Sequence, residues 1–182
     1  MPSTNFNPAA STNFNPPDPP SLPIDPPLAA SAYLQSSNLN IPNATNTIIT
    51  FDTVETDPSS MFDGVSKFTA PTAGMYCVTG SVATGGLNTS SGANFLTIII
   101  NGEAQYGIQS ALLSDSGAAP GACVTAMIFM NEGDYAQLNY FQNSGGAGVA
   151  YGSDSYSNDG DGYGNSELNL SHFTRLSIAA VG

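Results

Sequence analysis

The side chains able to do chemistry are few. His172 is the only histidine, Cys77 and Cys123 are the only cysteines, and four acidic residues, Asp154, Asp159, Asp161 and Glu167, crowd one glycine-punctuated stretch. A hydrolytic triad needs a base beside an activated nucleophile and an orienting acid. His172 stands next to Phe173 in strand-like sequence, and the chain has no Gly-x-Ser-x-Gly elbow, so His172 reads as structural. Glycoside hydrolysis needs two carboxylates flanking one cleft, and the sequence places no such pair. The expectation is a protein that is not an enzyme and uses no cofactor.

Oxygen-rich loops bind calcium, which makes Asp154, Asp159, Asp161 and Glu167 the metal candidates. The register of a helix-loop-helix calcium site does not fit them. With Gly162 at the glycine position the terminal glutamate position is Leu168, and with Gly160 there it is Ser166. An irregular calcium site stays open beside the preferred reading of a solvated acidic loop with no metal. The two cysteines have neither metal-knuckle spacing nor the number for a disulfide framework. Both lie in apolar strand sequence, so the default expectation is buried thiols.

The balance of charge removes whole classes of partner. Two Lys or Arg against 14 Asp or Glu give a net charge of −12. A phosphate-binding surface needs clustered cations, and Lys67 and Arg175 are the whole supply. Neither nucleic acid nor an anionic membrane surface is an expected partner. The longest apolar patch, Phe95 to Ile100, is far too short to span a bilayer. The N-terminus has no basic region and no apolar run, so no secretory signal is expected.

The elements that would hold any site fall into two parts. Residues 1–30 carry nine of the 13 prolines. Proline lacks an amide donor and cannot join a sheet interior or a helix, so this part reads as an extended arm. It contains a direct repeat, Ser3-Thr4-Asn5-Phe6-Asn7-Pro8 and Ser11-Thr12-Asn13-Phe14-Asn15-Pro16. Composition favours a plain linker. The sharper reading is a docking arm with Phe6 and Phe14 as anchors on a larger assembly.

Residues 31–182 read as strands and turns, and no long window shows helical apolar spacing. The expected strands are Ala32–Gln35, Thr47–Thr53, Lys67–Phe68, Met75–Ala83, Phe95–Ile100, Glu103–Gln109, Gly121–Met130, Tyr135–Gln142 and a broken one in Ser166–Ala180. Asn101-Gly102 is a two-residue hairpin turn signal. Tyr135 to Tyr140 alternates apolar and polar, as a half-solvated strand does. Ala122 to Met130 does not alternate; apart from Thr125 it is apolar on both faces. In a sandwich only one face meets the core, so the other needs a separate cover, and another subunit is the simplest.

Four segments then resemble one family, the globular heads of complement component 1q within the tumour-necrosis-factor-like jelly rolls. They are Ile49-Thr50-Phe51-Asp52-Thr53-Val54, Phe68-Thr69-Ala70-Pro71 with Gly74, Tyr76 and Val78, the run Met127–Met130 followed by Glu132-Gly133-Asp134, and Ser171-His172-Phe173-Thr174. The resemblance covers roughly Ala32 to Ala180. It implies an all-β, ten-strand antiparallel jelly-roll sandwich that forms a threefold trimer. By that register Cys77, Cys123, Thr125, Met127 and Phe129 face the trimer interface. The family's closing glycine is Arg175 here, which leaves the packing of the last strand open, and the collagen repeats of the animal members are replaced by the Pro-rich arm. The expectation is a homotrimeric virion protein, of phage type, acting as a head decoration protein or short fibre attached by its arm to a capsid or tail protein. The alternatives are a receptor-binding fibre tip or a secreted, extracellular module that binds a ligand or glycan.

Overall fold

The structure, a computed structural model, describes residues 28–36, 38–87, 92–111, 121–154 and 174–181. Within them the chain is all β, with twelve strands and no helix. They are β1 Ala29–Tyr33, β2 Leu39–Ile41, β3 Thr45–Ile48, β4 Thr53–Thr56, β5 Phe68–Thr69, β6 Gly74–Gly85, β7 Ala93–Ile100, β8 Glu103–Ala111, β9 Gly121–Met130, β10 Tyr135–Gln142, β11 Gly148–Ala150 and β12 Arg175–Val181. Every pairing between them is antiparallel. The count exceeds the expected ten because pieces as short as the two-residue β5 are separate strands.

Two sheets form. The seven-stranded one runs β2-β11-β6-β12-β1-β4, with β9 also on β6; the five-stranded one runs β3-β10-β7-β8, with β5 on β10. The long strand β6 is the hub: β12 and β9 pair with it between Gly74 and Ala83, and β11 meets its far end at Thr84 and Gly85. Tyr76, Val78, Ile128, Leu176 and Ile178 of the first sheet bury against Leu96, Ile98, Leu138 and Tyr140 of the second. Side chains alternate across a strand, so this period-2 pattern sets the inner face of each sheet. The sheets approach closely where β6 faces β10. A side chain at Gly80 would collide with Leu138 Cδ1, so any larger residue there has to displace the Leu138 side chain.

The short motifs of the sequence have local causes. Phe68 and Ala70 are buried, and the Tyr76 hydroxyl donates to the Thr72 carbonyl at 2.8 Å, which closes the turn after Pro71. Ala70 N–H donates to the Asp134 carbonyl at 2.8 Å and Gly133 N–H donates to the Ala70 carbonyl at 2.9 Å. Two of the four signature segments are thus tied to each other. The Asn101-Gly102 turn has φ of 53° and 85° at its two residues, as a type I′ hairpin requires. The Asp52 carboxylate of the Phe-Asp segment accepts the amides of Gln35 and Ser36 at 2.6 and 3.0 Å, joining the end of β1 to the start of β4.

Several expectations are corrected. Residues 29 and 30, expected outside the strands, belong to the sheet: Ala29 and Ala30 pair with Ala179 and Ile178, and Ala30 is part of the core. The strand expected over Thr47–Thr53 is two strands in different sheets. β3 pairs with β10, whereas β4 pairs with β1. Between them Ile49 and Phe51 are both buried, while Ile49 N–H donates to Leu138 and Phe51 N–H to Val65. The alternation is real, but the chain changes sheet under it. β10 is not half-solvated either. Its polar side chains Gln137 and Asn139 are buried, Gln137 donating to Ser66 Oγ at 2.9 Å and Asn139 to Thr97 Oγ1 at 3.0 Å.

Candidate assembly interface

The outer face of the seven-stranded sheet is built by β9, β6, β12 and β1. On β9 the inward residues Val124, Ile128 and Met130 are buried, which turns Cys123, Thr125, Met127 and Phe129 outward. The register then sets four rows. Phe129 lies opposite Met75, which lies opposite Val181; Met127 lies opposite Cys77 and Cys77 opposite Ala179. Below these, Thr125, Thr79, Ser177 and Ser31 form a row across all four strands, followed by Cys123, Ser81, Arg175 and Tyr33.

The first two rows are apolar, and the described residues leave their four large side chains exposed. Phe129 is 61% exposed, Val181 49%, Met127 48% and Met75 39%. Each side chain of this size gains about 1.5–3 kcal/mol when fully buried, so leaving four together in water is costly. An exposed patch of this kind marks an interaction site. The third row is polar and self-satisfied: Thr79 and Thr125 hydroxyls lie 3.1 Å apart and Ser31 and Ser177 hydroxyls 2.9 Å apart.

All five interface residues expected from the sequence, Cys77, Cys123, Thr125, Met127 and Phe129, therefore share one face. The expectation of two buried thiols does not hold within the protomer, where Cys77 is half-buried and Cys123 exposed. Both point away from the core because the residues beside them, Tyr76, Val78 and Val124, point into it. Sequence reasoning missed Met75 and Val181 on this face. The alternation of β6 carried the signal for Met75, but Val181 needed the register of β12 against β6.

Other candidate sites gain little. Among the described residues no three His, Cys, Asp or Glu side chains come together to hold a metal. Asp154 is exposed. Asp159, Asp161, Glu167 and His172, like Phe6 and Phe14, lie outside the described residues. A shallow recess of about 400 Å³ beside β9 is lined by Ile100, Asn101, Glu103, Tyr106, Ile128 and Phe129. Glu103 is the one carboxylate of that lining, which is not the pair that glycoside hydrolysis needs. No helix among the described residues is long and apolar enough to cross a membrane.

No family model matches the chain, and no curated protein matches it in sequence. Solved structures do. The tumour-necrosis-factor protein Eiger from S. frugiperda superposes with a TM-score of 0.51 at 11% identity, over 87% of this chain and 94% of that one. The globular domain of zebrafish complement 1qA superposes with a TM-score of 0.52 at 12% identity, over 86% of this chain and 98% of that one. The likeness is one of fold. This chain is a jelly roll of the type shared by tumour necrosis factors and complement heads. What the jelly roll does rests on its own residues.

Proposed function

We propose that this protein is a non-enzymatic homotrimeric assembly module whose copies meet through the outer face of β9, β6 and β12. The observation that carries this reading is the apolar end of that face, Phe129, Met75, Val181 and Met127, which the described residues leave exposed. Buried against a neighbouring copy, those side chains recover the hydrophobic term that the lone protomer forgoes. The threefold count follows the resemblance to complement-head and tumour-necrosis-factor jelly rolls.

Within that reading the trimer is a virion component, a head decoration protein or short fibre held to a capsid or tail protein by its N-terminal arm. The repeated Phe6 and Phe14 segments support an anchoring arm, and the charge of −12 with two cations disfavours nucleic acid as the partner. A second reading, an extracellular trimeric module that binds a ligand or glycan, draws on the fold likeness to the complement 1qA globular domain. Two assays separate them. Co-sedimentation of the full chain with capsid or tail assemblies, lost when Phe6 and Phe14 are both changed to Ala, supports the anchored virion protein. Glycan or protein binding by the trimer that survives removal of residues 1–27 supports the second reading.

A further inference from the structure

Arg175 is one of two cations in the chain, and it stands at the polar end of the face assigned above to assembly. Its Nη2 donates to Glu55 Oε2 at 2.8 Å, to Ser31 Oγ at 2.9 Å and to Ser177 Oγ at 3.1 Å. Ser31 Oγ donates to the same Glu55 oxygen at 2.9 Å. Ser31 is buried under this cluster, while the Arg175 and Glu55 side chains are 35% and 38% exposed. Arg175 lies opposite Ser81, which lies opposite Cys123, six residues along β9 from Phe129. At about 3.3 Å per residue the ionic cluster is roughly 20 Å from the row of Phe129, Met75 and Val181. The other cation, Lys67, sits over the Tyr135 ring at 4.4 Å, beside the five-stranded sheet.

A solvent-exposed ion pair adds little stability. Covered by a neighbouring subunit, it costs desolvation that its attraction repays only in part, and an apolar replacement of similar volume is often as stable. What a buried ionic group can supply is register, because a contact that slides or rotates leaves the charge facing nothing suitable. We infer that the Arg175–Glu55 cluster is the specificity element of the assembly, selecting one arrangement of copies over the others that the apolar rows alone would permit. The inference rests on the homotrimer reading above. These three contacts all use Nη2, which leaves Nη1 and Nε as the donors that would meet an acceptor on the neighbouring copy.

The test uses native mass spectrometry and thermal melting of the full chain. Wild type is expected as a single three-chain species. The double variant Arg175→Met/Glu55→Gln is expected to melt cooperatively at an equal or higher temperature yet to spread over several chain counts. The charge-swapped Arg175→Glu/Glu55→Arg is expected to lose the single species, since position 175 then offers no donor to the acceptor on the neighbouring copy. A trimeric wild type with a double variant that is also one three-chain species, unchanged in subunit exchange, overturns the register role and leaves the assembly reading standing. A wild type that stays monomeric overturns the assembly reading itself. If the double variant fails to fold, the charge swap decides: a mixed population supports the role, and an unaltered three-chain species overturns it.

Discussion

Met75 on β6 lies directly opposite Phe129 on β9, and both side chains turn away from the core into solvent. Met75 is paired on both sides, with β9 and β12, and Phe129 is paired with β6, so the sheet holds both backbones whatever their side chains touch. A charge on this face, at Phe129 or at Met127 two residues along β9, should therefore leave folding intact and act on association alone. Phe129→Glu or Met127→Glu is expected to give a folded monomer with native far-ultraviolet circular dichroism. Burying an unpaired carboxylate at an interface costs several kcal/mol, enough to reduce association by two orders of magnitude or more. Light scattering across a concentration series checks it; a variant that assembles like wild type would remove these residues from the interface.

The start of β1 at Ala29 makes a second prediction. Leu28 accepts a hydrogen bond from Ala180 and Ala30 is buried in the core. Deleting residues 1–27 should leave the melting temperature nearly unchanged, whereas deleting residues 1–30 removes part of β1 and should lower it clearly. For docking, each single Phe6→Ala or Phe14→Ala should weaken attachment, since burying one Phe is worth about 1.5–3 kcal/mol. The double change should weaken it much more. Attachment by the 1–27 deletion at wild-type strength would leave the arm a linker.

The contact between Gly80 and Leu138 supplies a test of the sandwich itself. Gly80→Ala drives a methyl group into the Leu138 side chain and should cost about 1–3 kcal/mol. Leu138→Ala opens a cavity in the core and should cost about 2–5 kcal/mol. The two sites touch, so the double variant should cost less than the sum, because the new methyl group fills part of the cavity. Urea unfolding of the four proteins measures the coupling, and strict additivity would place the two residues apart.

Acid should loosen the loops that carboxylates hold. Partial burial opposes ionisation of Asp63, but its Oδ1 accepts the amides of Lys67, Ser66 and Val65 at 3.0, 2.8 and 2.8 Å, and with the nearby Lys67 charge these bring its pKa below the usual 3.8. Asp52 is lowered in the same way: burial opposes, and Gln35, Ser36 and Thr53 donors prevail. A folded pKa below the unfolded one gives stability that is present above the unfolded value and lost as pH falls through the folded value. The urea midpoint should therefore be level near neutral pH and fall below about pH 4. Asp63→Asn should flatten that fall; an identical acid profile in the variant would deny the carboxylate this role.

The sequence made the fold class legible where alternation and turn chemistry coincided. Asn101-Gly102 announced a hairpin, and the two-sided apolar run Ala122–Met130 announced a face in need of cover. The three-residue strands β2 and β11 were not legible, because a period of two cannot be read over three residues. The sheet change at Ile49–Asp52 escaped for another reason. Alternation reports which side chains are buried, and it is silent on which neighbour takes the backbone hydrogen bonds. The same limit hid Val181 and the Arg175–Glu55 pair, whose partners lie up to 120 residues away in sequence.

The central claim is that the apolar face of β9, β6 and β12 is closed by two further copies of the same chain. Its most direct test is the mass of this 182-residue chain in solution, by light scattering or native mass spectrometry, from low micromolar concentration upward. The account predicts three chains of 18.6 kDa per particle. A stable monomer across that range, with Phe129 and Met127 still in water, would contradict it.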